Sequence, residues 1–217
     1  MIVTIDGPAG AGKSSVSRML AERIGFQYLD TGAMYRAVTW CVMQQGMDPS
    51  DRQAVAELAR QMEITFENGK VLVKGQDVSQ AIRSLQVTGA VSEIADNPDV
   101  RETMVALQRA MARLGNFVCE GRDQGTVAFP NADCKIFLTA SPSERAQRRY
   151  QQLVEEGVPA DFQDVLTTQT VRDQRDETRP VGKLVKAPGS IEVSTDGMNF
   201  DKVVDQLESI VVQQLRI

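Results

Sequence analysis

Between a short β-branched run, Ile2–Asp6, and a stretch whose apolar residues Val16, Met19, Leu20 and Ile24 recur at helical spacing, the chain reads Gly7-Pro8-Ala9-Gly10-Ala11-Gly12-Lys13-Ser14. The segment satisfies the pattern G-x-x-x-x-G-K-[ST] in full. It also stands where the pattern requires, after a strand and at the opening of a helix. Small residues let successive backbone N–H groups turn inward on phosphate oxygens, and the helix N-terminus adds positive potential. Lys13 is expected to reach the β- and γ-phosphates of a nucleotide, and the Ser14 hydroxyl to ligate Mg²⁺. The competing reading, a glycine-rich turn with no ligand, explains neither the lysine nor the hydroxyl.

The rest of the chain repeats short apolar runs between helical patterns. Phe26–Leu29, Phe117–Glu120, Lys135–Thr139 and Ile191–Ser194 read as strands. Thr31–Gln45, Arg52–Met62, Val87–Ala95, Asp99–Leu114, Pro142–Glu156, Phe162–Glu177 and Phe200–Leu215 read as helices, with Gly25 suited to a helix C′ position. With Ile2–Asp6 this makes five strands alternating with helices, hence a parallel sheet covered on both faces, with the first strand central. One segment breaks the alternation. Ile64–Val73 alternates around Asn68-Gly69, which predicts a β-hairpin with a type I′ turn, a small antiparallel insert. Met19, Met34, Met43 and Met62 read as core filler.

What is missing narrows the chemistry. The chain has no histidine, which removes Ser-His-Asp and Cys-His mechanisms and every His-ligated metal site. It carries no N-K-x-D guanine clamp and no apolar strand ending in Asp-Glu, so a GTPase or an ATPase motor is disfavoured. A kinase acting on a phosphate monoester fits better: its nucleophile is already ionised near neutral pH, and catalysis reduces to positioning and charge neutralisation. A formal net charge of −5 gives no support to a binder of polymeric nucleic acid or of a membrane surface. Neither a signal peptide nor a spanning segment is seen, and Cys41, Cys119 and Cys134 lack any CxxC spacing, so a cytoplasmic monomer with reduced, buried thiols is expected.

Further polar segments follow the strands: Leu29-Asp30-Thr31-Gly32-Ala33-Met34-Tyr35-Arg36, then Glu120-Gly121-Arg122-Asp123-Gln124-Gly125-Thr126-Val127, and later Arg172-Asp173-Gln174-Arg175-Asp176-Glu177-Thr178-Arg179. Together with the glycine loop, Val91-Ser92, Val100-Arg101, Gly125–Pro130 and Lys135–Leu138, they resemble the bacterial type of cytidylate kinase among the P-loop nucleoside monophosphate kinases. The likeness runs over almost the whole chain, and the hairpin resembles the insert that marks this family.

The resemblance implies a three-layer α/β kinase core with a five-stranded parallel sheet, a small antiparallel insert at about 62–84 and a helical lid at about 143–180, in one domain. It implies transfer of the ATP γ-phosphate to CMP or dCMP with Mg²⁺. Positions matching Ser92, Arg101 and Asp123 contact the base; a carboxylate suits the N4 amino group of cytosine and repels the O4 of uracil. Positions matching Arg36, Arg122 and Arg172 hold phosphate, as forked guanidinium groups do. Thr31, Asp176 and Arg179 match further acceptor contacts. The catalytic set is Lys13, Arg122 and Arg172; the ATP set is Gly7 through Ser15 (Gly7, Pro8, Ala9, Gly10, Ala11, Gly12, Lys13, Ser14, Ser15) with Arg148, and Ser14 is the metal ligand. Arg145, Arg148 and Arg149 suit a lid over ATP. The sequence departs from the family pattern twice. Glu120 stands where Asp is usual, which is expected to shift a water-mediated Mg²⁺ contact, and Ala187–Ser190 lacks an acidic residue. The rival readings are a kinase for UMP, AMP or a metabolite alcohol, and a nucleotide-binding module without catalysis.

Overall fold

A computed structural model of the chain describes residues 1–67 and 69–217. Its main sheet holds the strands β1 (Ile2–Asp6), β2 (Gln27–Asp30), β6 (Phe117–Gly121), β7 (Cys134–Thr139) and β8 (Ile191–Ser194), in the order β2-β6-β1-β7-β8. β1 is therefore the middle strand, parallel to β6 in the register Ile2↔Phe117 through Asp6↔Gly121 and to β7 from Val3↔Cys134. β8 runs parallel to β7. The expected five-stranded parallel sheet with a central first strand is present.

The chain divides into two compact units. The first comprises residues 1–28 and 115–217. It contains α1 (Lys13–Arg23), α6 (Pro142–Glu155), α7 (Phe162–Thr178) and α8 (Phe200–Leu215). Its core brings Val3, Ile5, Val118, Ile136 and Leu138 of the strands against Val16 and Leu20 of α1 and Val204, Leu207 and Val211 of α8, all essentially buried. α1 ends as expected at Gly25, whose φ of +71° lets the Phe26 N–H return to the Ala21 carbonyl at 2.8 Å. Phe26 itself packs against the core as the lead-in to β2, one residue before pairing begins.

The second unit comprises residues 29–114. It contains α2 (Thr31–Gln44), α3 (Arg52–Arg60), a three-stranded antiparallel sheet β3 (Ile64–Glu67), β4 (Lys70–Val73) and β5 (Gln76–Asp77), a single 3-10 turn Ala81–Arg83, then α4 (Leu85–Ala95) and α5 (Pro98–Ala112). The hairpin has the expected register, Ile64↔Val73 through Glu67↔Lys70. The turn type assigned to Asn68-Gly69 lies outside the described residues at Asn68. β5 escaped the sequence reading because two polar residues have no apolar alternation to betray them; they pair through backbone alone, Leu72↔Asp77 and Val73↔Gln76. Met34, Val38 and Val42 form the buried stripe of α2. Met43 does not belong to the core: it is 38% exposed, because it lies about 100° around the helix from Val42.

Cys41, Cys119 and Cys134 are free and buried. Among the described residues no helix is long and apolar enough to cross a membrane.

Candidate active site

The phosphate loop is shaped by contacts that exclude side chains. Gly7 lies so close to β7 that a Cβ there would stand 1.9 Å from the Leu138 carbonyl oxygen. Gly12 adopts φ +87° at the cap position of α1, a left-handed geometry that favours glycine. The start of α1 differs from those of the other described helices. α2 to α8 each begin with an Asp, Ser or Asn side chain accepting a backbone N–H. α1 has no side-chain cap and no acid in its first turn. Its N–H donors and dipole are thus directed at whatever anion the loop receives.

Lys13 is buried and its Nζ donates to the Pro8 carbonyl at 2.7 Å. Burial depresses its ammonium well below the ordinary lysine range, Arg122 and Arg172 push the same way, and Glu120 opposes them. Two of the expected phosphate-handling cations, Arg122 and Arg172, therefore repel the third, Lys13. The Ser14 hydroxyl donates to Glu120 Oε1 at 2.6 Å, and Tyr28 OH donates to the same oxygen at 3.2 Å. The longer carboxylate of Glu120 thus reaches the Ser14 hydroxyl directly.

Arg122, at the end of β6, donates from Nε to Asp176 Oδ2 at 2.8 Å. Arg179 approaches the other oxygen of Asp176 at 3.4 Å. Burial works to raise the pKa of Asp176, but Arg122 and Arg179 outweigh it and hold the carboxyl below its ordinary value. Burial likewise works against the charge of Arg122, yet Asp176 keeps that guanidinium firmly protonated. Asp123 is buried beside Arg122 and opens a single π turn, Gln124–Ala128. Residues 120, 122, 123, 172, 176 and 179 thus all belong to the unit that carries the loop.

The remaining residues expected on the acceptor side lie in the second unit. Asp30 caps α2 by accepting from the Ala33 N–H at 2.9 Å and pairs with Arg83 at 3.2 Å. Thr31 is buried at the first position of that helix. Arg36 donates to Thr88 Oγ1 at 2.7 Å. Arg101 is buried, donates to the Ala95 carbonyl at 3.0 Å and lies 5.2 Å from the centre of the Tyr35 ring. Ala95 is about one helical turn beyond the half-buried Ser92, so within this unit the two residues expected to contact the base, Ser92 and Arg101, belong to one neighbourhood.

Several supporting contacts went unread in the sequence. Arg145 is buried and holds three elements at once: it donates to the Ala9 carbonyl of the loop at 2.9 Å and to the Ala140 carbonyl at 3.0 Å, and pairs with Asp173 of α7 at 2.6 Å. Within the arginine group assigned to a lid, it braces the phosphate loop. Arg148 donates to Thr195 Oγ1 and to the Thr195 carbonyl, both at 2.8 Å. Tyr28, Asp173 and Asp6 complete the supports. Asp6 alone carried a readable signal, an acid closing an apolar strand just before the glycine loop.

A phosphate loop on a central parallel strand, with Lys13 crowded by Arg122 and Arg172, defines a P-loop phosphotransferase. A shikimate kinase from Bacteroides thetaiotaomicron shares the fold at TM-score 0.52, with 11% identity over 97% of this chain and 98% of that one. The family model described as cytidylate kinase matches residues 3–213. The cytidylate kinase of Rhodopirellula baltica is 49% identical over 211 residues, 97% of this chain and 92% of that protein. A bifunctional pantoate ligase/cytidylate kinase of Parasynechococcus marenigrum is also 49% identical, over 99% of this chain but 43% of its own length. The chain belongs to the cytidylate kinase family, and it is an ATP-dependent phosphotransferase.

Proposed function

We propose that the chain transfers the γ-phosphoryl group of ATP to CMP or dCMP, giving ADP and CDP or dCDP. The observation that carries this reading is the crowding of Lys13 by Arg122 and Arg172 beside an uncapped helix N-terminus. Cations held together at such electrostatic cost are matched to a polyanion, and the charge spread over a transferring phosphoryl group is one.

The backbone N–H groups of residues 7–15 hold the ATP phosphates, and Lys13 turns from the Pro8 carbonyl to the β- and γ-oxygens. Arg122 and Arg172 neutralise charge that develops between donor and acceptor. The acceptor phosphate is ionised near neutral pH, so no side chain has to remove a proton, in keeping with a chain that has no histidine. Asp123, Ser92 and Arg101 read the cytosine edge. Thr31 and Arg36 bind the acceptor, and Asp176 and Arg179 its sugar and phosphate. Arg148 serves ATP from the 143–180 lid, and the 62–84 insert serves the acceptor.

The residues fit Mg²⁺. A hydroxyl and a carboxylate, Ser14 and Glu120, lie together at the loop, and such hard oxygens suit an ion that takes its other ligands from phosphate and water. Ser14 and Glu120 would hold it, and it would supply neutralisation of phosphate charge.

The test is ADP release with ATP across CMP, dCMP, UMP, AMP and a set of metabolite alcohols. CMP and dCMP should lead. A preference for another acceptor, or turnover with none, defeats the assignment.

A further inference from the structure

Asp6 closes the central strand, and the residue after it opens the phosphate loop. Its carboxylate is buried and divided between two donors: Oδ1 accepts the Gln124 N–H at 2.8 Å and Oδ2 accepts the Gly125 N–H at 2.7 Å. These are the first two N–H groups of the π turn that follows Arg122 and Asp123. The turn satisfies later donors internally, with Val127 and Ala128 both donating to the Asp123 carbonyl. Asp123 stands at the cap position yet its side chain does not cap the turn. That duty is supplied by Asp6, from the neighbouring strand.

The fit is tight from the other side as well. A Cβ on Gly125 would stand 3.1 Å from Thr4 Oγ1, 3.1 Å from the Ala187 Cβ and 3.4 Å from Asp6 Oδ2. The turn is therefore seated on β1 at a distance that glycine permits. Two backbone donors side by side also select the chemistry of residue 6. A carboxylate offers two acceptors, whereas an amide offers one acceptor and turns an N–H₂ group on the second donor. The charges facing Asp6 are Lys13 from α1, which favours its ionised form, and Asp123 from the turn, which opposes it.

We propose that Asp6 is a positioning residue that fixes the Arg122–Asp123 segment against the phosphate loop, so that one carboxylate sets the spacing between the groups serving the donor and those serving the acceptor. This rests on the reading of Arg122 and Asp123 as acceptor contacts. Asp6 touches neither substrate; it acts through the two peptide groups it holds.

The experiment compares the wild-type chain with Asp6→Asn and Gly125→Ala, the second disturbing the same junction from the turn. In Asp6→Asn, kcat/KM for CMP should fall at least ~10-fold, because small misplacements of reacting groups are costly, while the ATP dissociation constant from equilibrium titration changes less than ~3-fold. Gly125→Ala should show the same split. The double variant should be far less impaired than the product of the two single losses, since both act on one junction. Circular dichroism and thermal melting confirm folding, and if Asp6→Asn does not fold, Gly125→Ala decides alone. ATP affinity falling in step with CMP turnover, or a lower melting temperature with unchanged CMP kinetics, overturns the proposal. A wild-type chain that phosphorylates no acceptor overturns the functional reading and this inference with it. A wild-type chain active on CMP beside equally active variants overturns this inference alone.

Discussion

Lys13 illustrates how a site residue is both costly and useful. Its buried ammonium donates to the Pro8 carbonyl and has two arginines near it, an arrangement that favours binding a dense anionic charge. Lys13→Ala should lower kcat at least ~100-fold, about 2.7 kcal/mol of transition-state stabilisation; near-normal ADP release would contradict its role. For Asp123 the proposed role is in selectivity. Losing a hydrogen bond to a charged group costs about 1.5–3 kcal/mol, so Asp123→Ala should cut kcat/KM for CMP roughly 10- to 150-fold. Activity on UMP should fall less, and an unchanged CMP:UMP ratio would remove Asp123 from base reading. Asp6 gives a pH signature. Burial pushes its carboxyl up to about 6 from 3.8, against the two backbone N–H groups that lower it. Between those values the unfolded chain has released the proton and the folded chain retains it, so this contribution to stability is full below pH 4 and is lost as pH rises through 6. The loss is on the order of 3 kcal/mol. Urea denaturation from pH 4 to pH 7 should show that decline in the wild type relative to Asp6→Asn, and parallel curves would refute it.

At the scale of elements, the antiparallel insert is the most separable piece. Among the described residues β3, β4 and β5 pair only with one another, and they belong to the unit that carries Thr31, Arg36, Ser92 and Arg101. Replacing Ile64–Asp77 with a short Gly linker should weaken CMP binding while ATP binding survives; the excision includes β5 because its backbone pairs with β4. Equal loss of both ligands in a folded protein would place the insert on the wrong substrate. The hairpin was legible because Ile64, Val71 and Val73 bury alternate side chains, a pattern that survives in sequence. β5, with two polar residues, left none. The helices of the second unit were legible through their apolar stripes, and their caps fix where they start. Asp30, Asp51, Ser84 and Asn97 each accept a first-turn N–H, and α4 begins two residues before its apolar pattern because Ser84 caps it there.

For the molecule as a whole, all three thiols should be inert. Burial raises Cys119 to about 12 and Cys134 to about 11, and raises Cys41 as well. Ellman's reagent should therefore titrate close to none in the native chain and three after denaturation; rapid reaction of the native protein would show that one of them is accessible. The phosphate loop, the parallel sheet and the identities of the polar groups were determined by the sequence itself. Each rests on local rules: glycine where no Cβ fits, apolar period where a face is buried, a lysine and a hydroxyl at fixed offsets. The supports were decided only by tertiary structure. Asp6 meets Gln124 and Gly125, Arg145 meets Ala9 and Asp173, and Arg122 meets Asp176, across separations of up to 136 residues. No period or spacing records such pairings, because a hydrogen bond between distant segments depends on which strands the sheet sets side by side.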